Sequence, residues 1–226
     1  MSSLSSRYSE ICDNFNLYHY HILGCGAIGS ATATQLVRMG AKNLFLYDMD
    51  KVAEENIGVS SYDNRHIGQY KADALKEICL DISENVNINC YNELFKQYRH
   101  QGNDIVILAF DSMEARLSAV KSIISLKSPE YLIDGRMGAE HYQQYTLPKP
   151  SVRQYLSTWY SDEDGSQEPC NAKATSYCSN MSGSFISNVI RKILTDSPYH
   201  KEMSFDFPTN IIKTKYYTTK KVTSET

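Results

Sequence analysis

His19-Tyr20-His21-Ile22-Leu23-Gly24-Cys25-Gly26-Ala27-Ile28-Gly29-Ser30 is the stretch whose reading decides the fold. A short β-like run over residues 19–23 meets a G-x-G-x-x-G turn at once. Residues 30–39 then place Ala31, Ala33, Leu36 and Val37 at helical spacing, and Gly40 ends the run. Residues 43–47 form a second apolar strand that closes on Asp48-Met49-Asp50. Strand, glycine turn, helix and strand make a β-α-β unit. Glycines let the backbone turn tightly and approach a pyrophosphate, while the helix N-terminus supplies unpaired N–H groups and a positive dipole end. Asp48 follows roughly 20 residues later, where an acid binds ribose hydroxyls. Together these features imply an adenine nucleotide. They do not say which one, because NAD, FAD, S-adenosylmethionine and ATP proteins use related turns. The competing explanation is a glycine turn required only for helix–strand packing.

The alternation continues outward. Residues 71–82 read as a helix, 86–91 as a strand, 104–110 as a nearly continuous apolar strand buried on both faces, 114–124 as a helix and 130–134 as a strand. Beyond residue 134 the pattern changes. Residues 141–147 suit a strand leading to Pro148 and Pro150, residues 161–169 form an acidic, turn-rich loop, and residues 176–194 form a long helix. The expected fold is α/β: a Rossmann-like, doubly wound, mostly parallel sheet with helices on both faces and a small C-terminal extension. The expected organisation is an N-terminal arm (1–16), a nucleotide-binding core (17–147), a loop and helical/strand region completing that domain (148–212) and a polar tail (213–226).

Composition narrows the class. The 226 residues are 42% hydrophobic and 22% charged, as in ordinary globular proteins. A net charge of -3 argues against nucleic acid as a partner. The six cysteines (Cys12, Cys25, Cys79, Cys90, Cys170 and Cys178) form no C-x-x-C pair and no disulfide framework. The opening residues carry no secretory apolar run, and no stretch approaches the roughly 18 apolar residues of a membrane helix. The expectation is a reduced, cytoplasmic protein with no membrane partner.

The segment after Asp48 bears on the choice of nucleotide: Asp48-Met49-Asp50-Lys51-Val52, then Asn56, then Ile67-Gly68-Gln69-Tyr70-Lys71-Ala72. A dinucleotide dehydrogenase uses the first Asp but has no general need for the rest. A triphosphate calls for a metal ion, a lysine and amide donors. Lys71 opens a helix, and Asp111 follows the buried strand at the carboxyl edge, where open α/β sheets bind ligands and a carboxylate suits Mg²⁺. Each residue also has a plainer role. Lys71 suits a solvated helix lysine, Asp111 an N-cap with Glu114 as its partner, and Asn56 a turn cap.

The set GCGAIGS at Gly24, YDMDKV at Asp48, Asn56, IGQYKA at Lys71 and FDSMEAR at Asp111 resembles the ThiF/MoeB/HesA family, the ubiquitin-activating-enzyme-like adenylyltransferases, over about residues 19–140. The resemblance implies adenylation by ATP and Mg²⁺ of the C-terminal carboxylate of a ubiquitin-like or sulfur-carrier protein, by a homodimer. It implies that Gly24, Gly26, Ala27, Ile28 and Gly29 cradle the nucleotide, and that Asp48 holds the ribose. Asn56 and Lys71 would contact phosphates, Asp50 would lie close to the triphosphate, and Asp111 would bind Mg²⁺. Asp111 and Lys71 are thus the catalytic candidates.

The chain departs from the family in three places. Val59 and Ser60 stand where relatives carry Arg and Gln, which leaves as the alternative a catalytically weakened, nucleotide-binding regulatory pseudo-enzyme of the same fold that recruits a ubiquitin-like partner. Arg65 is a local substitute for the missing Arg, and Arg7 is the nearest candidate for the family's N-terminal Arg. The paired C-x-x-C zinc site is missing, so no structural zinc is expected. Some relatives pass the acyl group to a cysteine. Cys170, in Glu168-Pro169-Cys170-Asn171-Ala172-Lys173, is the candidate nucleophile because a helix N-terminus and a nearby lysine favour a thiolate; it equally suits an ordinary loop–helix junction. Cys178 and Cys25 read as packing residues. A nicotinamide-dependent oxidoreductase is the third reading.

Overall fold

The computed structural model describes residues 7–162 and 174–216. The first strand, β1 (His19–Leu23), feeds helix α1 (Ala27–Arg38), strand β2 (Asn43–Tyr47), the short helix α2 (Glu54–Ile57), helix α3 (Lys71–Ile82) and strand β3 (Asn87–Tyr91). The chain then crosses back to β4 (Asp104–Leu108), α4 (Met113–Leu126) and β5 (Tyr131–Gly138). Strands β1 to β5 are mutually parallel, in the order β3-β2-β1-β4-β5. All five residues of β4 are buried, as its unbroken Asp-Ile-Val-Ile-Leu run requires of a strand covered on both faces.

Each face of the sheet carries its own core. Ile22, Leu44, Ile107 and Ile133 pack with Leu36 of α1, Leu75 of α3 and Ile186 and Ile190 of α6 (Ser176–Leu194). Leu23, Phe45, Val106 and Leu132 pack on the opposite face with Val120 and Ile123 of α4 and Tyr155 of α5 (Val152–Leu156). Helices on both faces of a mainly parallel sheet make the doubly wound architecture expected from the sequence. Strand order reverses between β1 and β4, so the crevice for a ligand lies at the carboxyl ends of these two strands.

The sheet is larger than its parallel part. Strand β5 turns at Ala139 and Glu140 into antiparallel β6 (His141–Pro148), and β7 (His200–Asp206) and β8 (Ile211–Tyr216) extend the same sheet to eight strands. Strand β8 carries sheet structure into the stretch from Lys213 that the sequence reads as a tail. Strand β6 is the run read at residues 141–147; β7 and β8 escape periodicity analysis because they are only partly covered, with only Met203 and Phe205 buried in β7. Among the described residues, no helix is long and apolar enough to cross a membrane.

Two packing features need their exact residues. Helix α6 lies against α1 so closely that a Cβ on Gly183 would come 2.7 Å from the backbone of Ala31. At the amino end of β4, Asp104 is fully buried and accepts from His21 Nε2 at 3.0 Å and from the Gln101 N–H at 3.1 Å; it also pairs with His100. His21 stacks on Phe45, with ring centroids 4.5 Å apart. Burial lowers the His21 pKa from its usual value near 6.5, with His19 and His100 adding to that, while the bond to Asp104 and its charge act in the opposite direction.

Gly183→Ala separates two effects of opposite sign. Helix propensity alone favours the alanine by about 1 kcal/mol. The collision with the Ala31 backbone has no rotamer to relieve it, so a net destabilisation of about 1–3 kcal/mol is expected, read as a lower urea midpoint. The lowered His21 pKa also fixes a sign. The unfolded chain binds the proton first, so this stabilisation is complete above the ordinary histidine value and falls as the pH drops through the lower folded value. The urea midpoint should therefore fall between pH 7.5 and 5.5, and the fall should shrink in His21→Gln; an unchanged pH dependence in that variant contradicts the assignment.

Candidate functional site

The glycine turn is built by steric necessity. Gly24 sits at φ +95°, and a Cβ there would lie 2.7 Å from the carbonyl carbon and oxygen of Ala109. A Cβ on Gly29 would fall 1.9 Å from the Gly24 carbonyl oxygen. The first turn of α1 therefore rests directly on the end of β1. Gly26, at the N-cap, has open space where a side chain would project. The helix begins at Ala27, three residues before the sequence pattern places it, so Ala27, Ile28 and Gly29 form its first turn. Amides there have no acceptor inside the helix and meet an incoming anion with the positive dipole end.

Asp48, at the carboxyl end of β2, accepts the Cys25 N–H at 2.7 Å on one oxygen and the Asp50 N–H at 2.8 Å on the other. Burial raises its pKa from the ordinary value, against the opposing pull of those two N–H groups and of Lys71. Residues 50–52 are clipped to residues 68–71: Lys71 N–H donates to the Asp50 carbonyl at 2.9 Å, Val52 N–H to Gln69 and Gly68 N–H to Val52. This clip brings the first residue of α3 back to the glycine turn. The Tyr62 hydroxyl ties the two together, lying 2.5 Å from the Cys25 carbonyl and 3.1 Å from the Lys71 carbonyl.

Lys71 Nζ reaches Asp50 Oδ2 at 3.0 Å, and its side chain is only 14% exposed. Burial by itself lowers its pKa; the Asp50 bond and the charges of Asp48, Asp50 and Asp111 outweigh that and hold it above the ordinary lysine value. The solvated-helix role weighed for Lys71 thus does not describe it. Asn56 uses Oδ1 to accept the Ala53 N–H at 2.9 Å, closing the turn that opens α2 and leaving its amide group as a donor. The turn-cap role is therefore real and compatible with a phosphate contact.

Asp111 stands exposed just before α4. It is not the N-cap of that helix. Ser112 is, its Oγ accepting the Ala115 N–H at 3.3 Å, and Asp162 reaches over to accept the Met113 N–H at 2.9 Å. Capping therefore makes no demand on the Asp111 carboxylate. The loop before it is held from beneath by Arg116, which donates to the carbonyls of Leu108 (3.3 Å) and Phe110 and to the buried Asp134. Arg136 donates to the other Asp134 oxygen from Nε at 2.9 Å and Nη2 at 2.7 Å. Sequence reasoning passed over Tyr62, Asp134, Arg136, Trp159 and Asp162. One signal was available: β2 and β4 are each followed within three residues by an aspartate, Asp48 and Asp111, and Asp134 closes the parallel part of β5.

The structure thus brings Gly24–Gly29, Asp48, Asp50, Lys71 and Asp111 to one rim of the sheet, while the contacts of Asn56 are with its own turn. It leaves two sequence candidates elsewhere. Arg65 pairs with Asp63 at 2.8 Å and feels the charges of Asp81 and Glu77. Asp81 lies ten residues, or about 15 Å, along α3 from Lys71, so Arg65 does not substitute for the missing Arg. Arg7 adjoins Tyr8, whose hydroxyl donates to the Arg38 carbonyl at 2.6 Å. That is the far end of 12-residue α1, about 18 Å from the glycine turn of the same chain. Val59 and Ser60 donate their N–H groups to the Asn56 carbonyl. Cys170 lies outside the described residues. Cys178 is buried, its thiol pushed up to about 11 mainly by burial, and burial also pushes the Cys25 thiol far above its usual value.

Comparison with known proteins agrees with this fold. The chain is 28% identical over 145 residues to SUMO-activating enzyme subunit 2 of Dictyostelium discoideum, covering 56% of this chain and 21% of that protein. It is 30% identical over 112 residues to ubiquitin-like modifier-activating enzyme 5 of Bombyx mori, covering 43% of this chain and 28% of that one. The chain thus spans between a fifth and a third of these relatives' length. Among solved structures, E. coli MccB with AMPCPP and MccA superposes with a TM-score of 0.72 at 13% identity, covering 95% of this chain and 71% of MccB. PaaA gives 0.69 at 19% identity, covering 90% and 65%. These two likenesses concern the fold. The ThiF family model matches residues 9–223, nearly the whole chain, and the chain belongs to the ThiF family.

Proposed function

We propose that this chain binds ATP with Mg²⁺ and adenylates a carboxylate at the end of a ubiquitin-like protein, sulfur carrier or peptide. The observation that carries this reading is the bonded chain from the glycine turn to Lys71: Asp48 holds the Cys25 and Asp50 amides, Asp50 holds the Lys71 ammonium at 3.0 Å, and the Asp111 charge also acts on that ammonium. The residues suit the ligand. The first turn of α1 offers amides to phosphate oxygens, Asp48 presents a half-buried carboxylate for ribose hydroxyls, and Asp111 supplies a hard oxygen donor. Mg²⁺ is typically held by one or two carboxylates together with substrate phosphates, so a single exposed Asp111 is a fitting protein ligand. The names of the relatives, with SUMO and ubiquitin-like modifiers as what they activate, support a protein acceptor.

In this reading the acceptor carboxylate attacks the α-phosphorus, the bond to the β-phosphate oxygen breaks and pyrophosphate leaves. No general base takes part, because the carboxylate is already ionised at neutral pH. The work of the chain is to bring two anions together. Lys71 stays charged through its ion pair with Asp50 and neutralises phosphate oxygens; Asp50 holds that ammonium at the rim. Mg²⁺ held by Asp111 would supply further charge neutralisation. An oxidoreductase reading leaves Asp50, Lys71 and Asp111 without a task.

One observation favours a second reading, a nucleotide-binding relative with little catalysis. Val59 and Ser60 replace the Arg and Gln of relatives, and Arg65 is turned toward α3. Pyrophosphate exchange decides between them. With a Gly-Gly-terminated peptide as acceptor, the chain should exchange labelled pyrophosphate into ATP, and Asp111→Ala should lower the rate by about 100-fold or more. Unchanged exchange in the variant removes Asp111 from the mechanism, and no exchange in the unaltered chain favours the second reading.

Cys170 is the candidate for a later thioester. Burial pushes the thiols of Cys25, Cys79, Cys90 and Cys178 upward and away from thiolate chemistry, and Cys12 is buried. With ATP and a Gly-Gly-terminated acceptor protein, a thiol-sensitive adduct should appear on a non-reducing gel and be absent in Cys170→Ser. Its persistence in that variant disposes of the assignment.

A further inference from the structure

Asp134 lies at zero exposure on β5, in register with Leu108 at the end of β4. One oxygen receives Arg116 and the other receives Arg136. Following the bonds outward from this carboxylate gives two arms. In the first, Arg116 Nη2 donates to the carbonyl of Phe110, the residue before Asp111. In the second, Arg136 Nη1 donates to the Thr158 carbonyl at 2.7 Å and Nη2 to its hydroxyl at 3.2 Å. The guanidinium lies under the rings of Tyr145 and Tyr160, 4.5 and 5.1 Å from their centroids.

The arms meet again. Trp159, next to Thr158, donates Nε1–H to the Met113 carbonyl at 2.9 Å, and Asp162 accepts the Met113 N–H at 2.9 Å. Met113 is two residues from Asp111. The contacts therefore close into a ring: Asp134, Arg116, the Asp111 loop, Met113, the strap of residues 158–162, Arg136 and back to Asp134. Two guanidinium groups share one carboxylate in the interior. A buried triad of that kind is commonly no more stable than apolar residues of the same volume. Packing alone gives no reason to keep it at the ligand rim.

We infer that Asp134 is a positioning residue: it sets the Asp111 carboxylate for metal-bound phosphate and, through the same bonds, draws the strap of residues 158–162 against that wall. Part of this rests on the adenylation reading above. None of the ring's hydrogen bonds involves Asp48 or the glycine turn, which meets the ring only where Gly24 packs on the Ala109–Phe110 backbone, so the nucleoside end of the ligand should depend on Asp134 far less than the metal-dependent end. Trp159 is the single tryptophan of the chain, so its fluorescence reports the strap alone.

The test compares the intact chain with Asp134→Asn. An asparagine there offers one acceptor where two guanidinium groups need two. The affinity for AMP should stay within about twofold, while the gain in ATP affinity produced by Mg²⁺ should fall by about 10-fold or more, the usual effect of removing a group that orients a metal ligand. Without nucleotide, acrylamide should quench Trp159 more strongly in the variant. AMP affinity lost in equal proportion marks a merely structural role and overturns the inference, as does a folded variant with unchanged Mg²⁺ gain or unchanged quenching. Should Asp134→Asn fail to fold, Arg136→Met carries the test; it keeps the stem under Tyr145 and leaves the Arg116 pair, and it must free Trp159 without weakening AMP, or the inference falls. A chain with no affinity for ATP sinks the adenylation reading instead. That outcome is told apart because the nucleotide-free quenching comparison stands or falls by itself.

Discussion

The contact on which the rest of the molecule depends is the one between the first turn of α1 and the end of β1. At Gly29 there is no room for a single extra carbon atom, because the Gly24 carbonyl occupies it. At Gly24 the same is true of the backbone after β4. Three backbone segments therefore meet without side chains between them. The helix end can be brought to the topological switch point only in this way, and its unpaired amides then face the crevice. Asp48 completes the arrangement from the side, its two oxygens fixing the Cys25 and Asp50 amides and hence the course of the chain on both sides of the crevice.

Charge is distributed around that contact with a consistent logic. Lys71 is mostly covered but remains a cation because three carboxylates act on it. Asp111 is exposed and relieved of capping by Ser112 and Asp162. Arg116 and Arg136 are inside and held by Asp134. The exposed and half-buried charged groups lie at the rim, and the fully buried ones lie behind it. Placing an excess of positive charge behind the wall also lessens the self-repulsion of Asp48, Asp50 and Asp111 on its front.

Much of this was legible in the sequence, and the reason is locality. The parallel core declares itself through continuous apolar runs and a glycine turn whose spacing is set by helix and strand geometry, as at residues 19–47 and 104–110. Legibility fails where a residue's role is decided by a distant partner. Asp111 and Ser112 are equally good caps on paper, and it is Asp162, some fifty positions away, that completes the cap and leaves Asp111 aside. Arg65 looks like a local replacement until Asp63, Glu77 and Asp81 claim it. Asp134 and Arg136 sit two apart in a strand and resemble any charged pair on one strand face; it is distant residues, Arg116 of α4 on Asp134 and the rings of Tyr145 and Tyr155 on Arg136, that cover them. Strands β7 and β8 lack a cue because a half-exposed strand at a sheet margin needs no strict alternation, and lysines there guard a free edge.

The antiparallel strands have a mechanical consequence. Since β5 is at once the last parallel strand and the first arm of a hairpin, hydrogen bonding runs unbroken from β3 to β8. A continuous ladder of this width resists bending between its two halves, so the eight described strands form one stiff chassis. Any movement at the carboxyl ends of the strands is then left to the connections above them, and its travel is set by how firmly each is moored to the frame below.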